Sequence, residues 1–211
     1  MRDKVHTFSE MTRRFCQDRD WRRVLIRRSP AFAVIAPHGG GIEPGTSELG
    51  RAIAGDQFSL YCFEGLKSRG NAALHISSTH FDDPVCLELL KNIETAITIH
   101  GSSERREVIH VGGLHRELRT AIVDSLLAGG FTAMEDTTFH DGNDPINLCN
   151  RCRGRKGVQL EISRAARVRM FAGLRASERP VTTPVFQSFV SSVRMPMLQS
   201  RSAKGFESWT P

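Results

Sequence analysis

The stretch from Val34 to Thr46 places the strongest constraint on how this chain can fold. It begins within a short apolar run, Ala33 to Ala36, that has the length and composition of a buried strand. Pro37, a loop with three consecutive glycines and a Ser/Thr-containing helix start follow this run. A strand, a glycine-rich loop and a helix in this order indicate an α/β fold, in which ligand sites lie beyond the carboxyl ends of the strands.

His38 and Glu43 flank the glycine run. An imidazole and a carboxylate are two of the three ligands of a His₂Glu catalytic zinc site. A glycine run can also hold a phosphate, but the Lys-Ser/Thr pair that completes a P-loop is missing here. A tight turn with an incidental His and Glu is the third interpretation, and the local spacing alone does not decide among them.

Two further histidines follow predicted strands. We predict strands over residues 72–77 and 96–99, and the chain places His80 shortly after the first and His100 directly after the second. A single histidine after a strand is usually an ordinary loop residue. Three histidines at equivalent strand ends, with Glu43 beside the first, favour a shared site at one edge of a sheet.

Glu161 lies in the last predicted core strand, residues 157–164. Val158, Leu160 and Ile162 alternate along this segment and point to one face, so Glu161 points to the other. A carboxylate there is either an ordinary charge on the sheet face or a general base that reaches into a cleft.

The cysteines favour a reducing compartment. Their number, five, is odd, and the chain is long enough to fold without disulfides. Cys149 and Cys152 form a Cys-x-x-Cys pair without a second pair at zinc-ribbon distance, so ordinary loop cysteines are favoured over a structural zinc or redox site. The charged first 14 residues lack an apolar signal region, and no apolar run is long enough to span a bilayer, so we expect a cytoplasmic protein.

Length and charge limit the remaining possibilities. The 211 residues predict one domain over residues 1–199, most simply a monomer, with a mobile tail over residues 200–211. A net charge of +6 favours an anionic partner such as nucleic acid or an acidic polymer. Aromatic residues are only 7% of the chain, which makes stacking platforms for single-stranded nucleic acid hard to build.

Four segments, in order, carry a resemblance to a known family: Ala-Pro-His-Gly-Gly-Gly-Ile-Glu-Pro-Gly-Thr at residues 36–46, Phe-Glu-Gly-Leu at 63–66 with Leu-His-Ile-Ser-Ser-Thr-His-Phe-Asp at 74–82, Ile-His-Gly at 99–101, and Asn-Leu-Cys-Asn-Arg at 147–151 leading to Gly-Val-Gln-Leu-Glu-Ile-Ser-Arg at 157–164. Over residues 30–175, roughly, the chain resembles the phage-type poly-γ-glutamate hydrolases. Members of that family are zinc-dependent and have a fold similar to the carboxypeptidase A group.

The resemblance implies a fold, a metal and a reaction. The fold is a three-layer α/β/α arrangement with a mixed, mostly parallel central sheet like that of the zinc carboxypeptidases. The metal is a zinc ion held by His38, Glu43 and His100, and Glu161 is the catalytic base. The reaction is hydrolysis of a γ-glutamyl amide bond. His80 competes with His100 for the third ligand position, but it lies where such a fold tends to place substrate-binding groups.

The substrate would be an anionic glutamyl polymer or an N-acyl-glutamate. Guanidinium groups pair with carboxylates in bidentate fashion, so Arg151, Arg164 and Arg167 are the predicted substrate-binding cations, together with His80. Two alternatives remain open at this point. One is a small-molecule N-acyl-glutamate deacylase, and the other is a non-enzymatic, basic nucleic-acid-binding protein related to phage replication.

Overall fold

A single seven-stranded sheet organises the chain. The computed structural model describes residues 5–136 and 141–203, with side chains up to residue 201. The strands are β1 (Trp21–Ile26), β2 (Ser29–Gly40), β3 (Phe58–Gly65), β4 (Thr95–Gly101), β5 (Ile109–Gly112), β6 (Ala133–Glu135) and β7 (Val158–Ile162).

The sheet is mixed and mostly parallel. Its strand order is β1-β3-β2-β4-β7-β5-β6. The β2–β3, β2–β4, β4–β7 and β5–β6 pairs are parallel, whereas β1–β3 and β5–β7 are antiparallel. The carboxyl ends of the neighbouring parallel strands β2, β4 and β7 therefore meet at the same edge of the sheet.

Helices cover both faces of this sheet. They are α1 (Phe8–Arg14), α2 (Thr46–Ala54), α3 (Pro84–Lys91), α4 (Arg116–Ala128), α5 (Arg164–Met170) and α6 (Pro184–Ala203). Apolar residues of α2, α4, α5 and α6 share one buried cluster with one face of the sheet, and those of α1 and α3 share a second cluster with the other face. The expected three-layer α/β/α architecture with a mixed, mostly parallel sheet is confirmed.

The alternation along the central strands decides which side chains face the site. Ile97 and Ile99 of β4 and Val158 and Leu160 of β7 lie in the first cluster. Because successive strand residues point to opposite faces, the polar residues that alternate with these apolar ones lie on the second face. His100 and Glu161 belong to that second set.

Two predicted elements differ from the structure. The strand that we predicted to end before Pro37 continues to Gly40, with a shift of register against β3 between Ala36 and Gly39. The prediction of a strand over residues 72–77 is wrong, because a 3-10 helix occupies Asn71–Leu74 and the chain then turns. It starts after Gly70, whose φ of 75° lies in the left-handed region.

The end of the chain also differs in part. Helix α6 extends through residue 203 and so includes residues 200–203 of the predicted tail. Residues 204–211 lie outside the described part of the chain, and the mobile tail stays a prediction. No helix within the described residues is both long and apolar enough to cross a membrane.

Candidate functional site

The imidazole of His38 is held at the irregular end of β2. A β-bulge re-aims the side chains of the strand that carries it, and the register shift between Ala36 and Gly39 falls on this residue. The side chain is buried, and its Nε2 lies 2.6 Å from the carbonyl oxygen of Ile76. This contact leaves Nδ1 as the ring nitrogen that faces the cavity.

Glu43 follows the glycines on a tight turn back toward His38. Gly40 has a φ of 64°, which a residue with a side chain rarely adopts, and a Cβ there would lie 2.5 Å from the carbonyl oxygen of Gly65. The Glu43 amide donates to the carbonyl of His38 at 2.8 Å, and the hydroxyl of Thr46 donates to the Glu43 carbonyl at 2.8 Å. These bonds fix the backbone of Glu43 beside His38.

His100 reaches the same point from β4. Its Nδ1 lies 3.1 Å from Nδ1 of His38 and 3.8 Å from Oε2 of Glu43. Oε1 of Glu43 lies 2.9 Å from Nδ1 of His38, and Oε2 accepts a hydrogen bond of 2.9 Å from the Gly101 amide. The structure therefore brings together His38, Glu43 and His100, which are far apart in sequence.

This donor set fits a divalent metal such as zinc. Ligand atoms around a tetrahedral zinc lie about 3.3–3.6 Å apart, given zinc–ligand bonds of about 2.0–2.2 Å, and the three distances here lie on either side of that range. Both histidines present Nδ1 toward the carboxylate, and their Nε2 atoms contact the Ile76 carbonyl and, at 3.1 Å, the Ser78 hydroxyl. Such outer contacts fix the tautomer and the ring orientation of metal-binding histidines.

His75 is a fourth group at the site, and we did not assign it a role from the sequence. Its ring stacks on that of His38 with centroids 3.9 Å apart, and its Nε2 lies 3.4 Å from Oε1 of Glu43. Ligand atoms of His38, Glu43 and His75 all lie within 4.8 Å of one another, so this triplet could also hold a metal ion. The sequence did contain a hint, because His75 and His80 belong to the same motif, residues 74–82. We predicted a strand there and therefore did not expect the turn that brings His75 to the site.

Glu161 lies beside His100 across the β4–β7 pair. The two residues are register partners, and both side chains line a cavity of about 640 Å³ together with His38, Glu43 and His75. Burial, and then the negative charge of Glu43, raises the pKa of Glu161 to about 8. A cation beside Glu43 would offset that negative charge and favour the carboxylate form of Glu161.

The buried groups Glu43 and His38 shift each other's pKa values. Burial alone raises the pKa of Glu43, but the charge and hydrogen bond of His38 outweigh it, so this pKa lies well below its usual range. Burial alone lowers the pKa of His38, but the attraction of Glu43 outweighs it and the pKa is raised. Glu43 is thus a carboxylate, the form that binds a metal.

Arg167 connects the loops that carry two of these groups. Its guanidinium is buried and donates to three backbone carbonyls, those of Ile162 at 3.1 Å, Pro44 at 2.6 Å and Ser102 at 2.6 Å. Pro44 follows Glu43, and Ser102 lies two residues after His100. The predicted role of Arg167 in substrate binding stays a prediction, while its contacts indicate that it holds the site's backbone.

The other predicted substrate-binding residues lie in two neighbouring cavities. Arg164 lines a cavity of about 690 Å³ that also includes Glu43, Ser102 and Ser103. His80 and Arg151 line another, of about 850 Å³, which shares the lining residue Thr79 with the central cavity. His80 contacts the Ser77 hydroxyl at 2.9 Å, while Arg151 donates to the Phe81 carbonyl at 2.8 Å. Neither His80 nor Arg151 lines the cavity that contains His38 and Glu43.

The two cysteines of the Cys-x-x-Cys pair are buried as free thiols. Cys149 contacts the Gly142 carbonyl and Cys152 the Lys156 carbonyl. Burial raises the pKa of both thiols, which disfavours the thiolate that metal binding and redox exchange require. These contacts agree with the interpretation of ordinary structural cysteines.

Comparison with known proteins identifies the family. A sequence model of the poly-gamma-glutamate hydrolase family matches residues 5–192. The chain belongs to the poly-gamma-glutamate hydrolase family. Among curated proteins, it is 41% identical over 151 residues to the UPF0714 protein YndL of Bacillus subtilis (strain 168), and 41% identical over 152 residues to the prophage-derived UPF0714 protein YoqZ of the same strain. These matches cover 71% of this chain but only 60% and 52% of the two relatives, so the chain spans little more than half of their length.

Solved structures of this family have the same fold. A bacteriophage poly-gamma-glutamate hydrolase is similar with a TM-score of 0.93 and 32% identity, over 95% of this chain and 99% of that one. A zinc-free, apo form of YndL is similar with a TM-score of 0.88 and 35% identity, over 94% and 99% of the two chains. An N-formylglutamate amidohydrolase from Ralstonia eutropha, at 11% identity and a TM-score of 0.55 over 90% of this chain and 99% of that one, shares the general fold.

Proposed function

We propose that this member of the poly-gamma-glutamate hydrolase family is a zinc-dependent amidohydrolase that cleaves γ-glutamyl amide bonds of poly-γ-glutamate. The observation that carries the proposal is the convergence of two Nδ1 atoms and the Glu43 carboxylate in one cavity with Glu161. Family membership and the phage enzyme's similarity over nearly its whole length support the substrate. The zinc-free, apo form of the relative YndL, which is distinguished by its lack of zinc, supports the metal.

We assign the metal to His38, Glu43 and His100. His100 is preferred to His75 because its side chain is only 4% exposed and its Nδ1 lies 3.1 Å from that of His38. The His75 side chain is 44% exposed and lies against the face of the His38 ring. When bound there, zinc supplies a Lewis acid that polarises a carbonyl oxygen and makes water more acidic.

Glu161 is the proposed proton carrier. Its carboxylate takes a proton from the attacking water and delivers that proton to the nitrogen of the departing amine. Glu161 lies beside His100 in the wall of the same cavity, from which it can reach both the attacking water and the departing amine. The nearby imidazole of His75 is available to donate a hydrogen bond to the developing oxyanion.

The substrate carboxylates are assigned to the two cavities that flank the centre. Arg164 is exposed in one of them, and Arg151 and His80 are in the other. A glutamyl polymer carries one free carboxylate per residue, and guanidinium groups pair with carboxylates in bidentate fashion. The net charge of +6 adds long-range attraction for such a polymer. We expect a cytoplasmic protein, in keeping with its five free cysteines.

The test measures the viscosity of poly-γ-glutamate and the metal content of the protein together. We expect about one zinc per chain and a loss of viscosity that a chelator prevents and added zinc restores. His38→Ala should lose both zinc and activity, whereas Glu161→Gln should keep zinc and lose turnover. His6→Ala, which removes an exposed imidazole outside the three cavities, is the matched control and should keep both. Full activity of Glu161→Gln would refute the assigned base, and chelator-resistant cleavage would refute the metal.

A further inference from the structure

The cavity beyond Thr79 is strongly basic, and we define its cationic lining as the basic cleft. The lining side chains that carry positive charge are Lys91, Arg151, Arg153 and Arg155. Asp82 is the only carboxylate among the described lining residues, and its Oδ1 accepts a hydrogen bond from the Phe8 amide. The lining residues of the cleft therefore carry more positive than negative charge.

Part of this charge is available to a ligand. Lys91 and Arg153 form ion pairs with Glu88 and Glu94, but these pairs are solvent-exposed, and such pairs contribute little and exchange partners readily. Arg155 is exposed and makes no ion pair within residues 5–136 and 141–203. The Arg155 amide donates a hydrogen bond of 2.9 Å to the Cys152 carbonyl, which closes a turn. The Arg155 side chain lines the cleft from this turn.

The basic cleft lies next to the central cavity. Thr79 lines both cavities, so the cleft is a direct neighbour of the central cavity. The described lining includes no Phe, Tyr or Trp on which nucleic-acid bases could stack. A flexible polymer with regularly repeated carboxylates matches this surface better than a nucleic acid does.

We propose that the basic cleft binds carboxylates of glutamyl units several residues away from the bond that is cleaved, so that the protein prefers long polymers over short oligomers. This inference rests on the proposed function, because it concerns the same substrate. It adds Arg153 and Arg155, to which neither the sequence motifs nor the family comparison gives a role.

The test compares substrates of different length. Arg153→Gln/Arg155→Gln removes two cleft charges, and Arg13→Gln/Arg69→Gln removes two exposed charges that line none of the three cavities. We expect the cleft variant to lower kcat/KM for long poly-γ-glutamate by about tenfold, as expected for the loss of two exposed charge-assisted contacts. Its kcat/KM for a γ-glutamyl trimer should stay within about twofold of the parent value, and the control variant should change neither by more than about twofold.

An equal loss on both substrates, no loss on either, or the same loss in the control variant would overturn the proposal. A binding measurement separates this inference from the proposed function. Titration calorimetry with long poly-γ-glutamate, in Glu161→Gln protein with and without the two cleft substitutions, reports affinity without turnover. Weaker polymer binding in the cleft variant supports the inference even if the parent protein cleaves no polymer, whereas unchanged polymer binding with reduced affinity for a DNA oligonucleotide overturns it.

Discussion

Replacement of Arg167 by methionine tests whether this residue supports the metal site or binds substrate. The substitution removes three hydrogen bonds, to the buried carbonyl of Ile162 and to the half-buried residues Pro44 and Ser102. Hydrogen bonds to a charged group contribute about 1.5–3 kcal/mol each. Three give an upper limit of about 4.5–9 kcal/mol, and loss of one partner of a buried charged interaction typically costs about 3–5 kcal/mol.

We therefore expect the free energy of unfolding of Arg167→Met to fall by about 3–5 kcal/mol, which lowers Tm by about 6–20 °C in a chain of this size. Because Pro44 adjoins Glu43 and Ser102 follows the His100–Gly101 segment, the zinc affinity should also fall, by about 10- to 100-fold, as for other groups that orient ligands. Differential scanning calorimetry and competition with a zinc-binding dye measure the two quantities.

Arg169→Met is the matched control, because Arg169 lies on the same helix but is exposed, and its one ion pair among the described residues is with Glu107 at the surface. We expect it to change the unfolding free energy by about 0.5 kcal/mol or less. If Arg167→Met kept the parental Tm and zinc affinity but raised KM for the polymer, the positioning role would be refuted and a substrate-binding role would be supported.

Three further predictions concern the same site. His100→Ala should weaken zinc binding by about 100-fold or more, whereas His75→Ala should change it by about threefold or less, as measured by dye competition; the reverse order would refute the assigned ligand set. The pKa of Glu161 is raised to about 8 in the folded chain, so the folded state binds more protons than the unfolded state from about pH 4.3 to that value, and stability is lost as the pH rises through this window. Urea unfolding of metal-free protein between pH 5 and 9 should show this decline in the parent and a weaker decline in Glu161→Gln; parallel curves would contradict it. Gly101→Ala should destabilise the protein by about 1–3 kcal/mol, because the added Cβ would lie 2.6 Å from Cζ of Arg167. An unchanged Tm would contradict this prediction and show that the guanidinium moves at little cost.

The main features of the fold follow from local sequence. Apolar runs with glycine-bearing loops predict buried strands of a mostly parallel sheet, and parallel neighbours end at a common edge. This reasoning suffices to expect His38, His80 and His100 at one edge with Glu43 beside the first, whereas the choice of His38, Glu43 and His100 comes from the family resemblance. The structure places the ligand atoms of these three residues 2.9–3.8 Å apart. The alternation in β7 likewise predicts that Glu161 leaves the apolar face.

Local sequence is less informative where a special backbone conformation or a contact distant in sequence determines the local structure. Gly70 in the left-handed conformation starts a 3-10 helix, and the Asn71 side chain bonds the backbone of Lys67, so residues 72–77 do not form a strand. As a result, His75 rather than His80 lies beside His38. This displacement could not be derived from hydrophobic periodicity.

Arg167 illustrates the second difficulty. Its acceptors at Pro44 and Ser102 are separated from it by 123 and 65 residues, and no spacing rule connects a cation to particular backbone carbonyls at such distances. From the sequence, the positive charge and the expected anionic substrate favoured substrate binding. Burial of the guanidinium and its bonds to three backbone carbonyls favour a supporting role, and the substrate-binding role stays a prediction.

The most direct test is a crystal structure of zinc-loaded protein, with anomalous difference maps calculated from data collected on both sides of the zinc absorption edge. We expect one anomalous peak bonded to Nδ1 of His38, to the carboxylate of Glu43 and to Nδ1 of His100. A peak bonded to His75 while His100 points away, or the absence of a zinc peak between His38 and Glu43, would contradict the proposed centre.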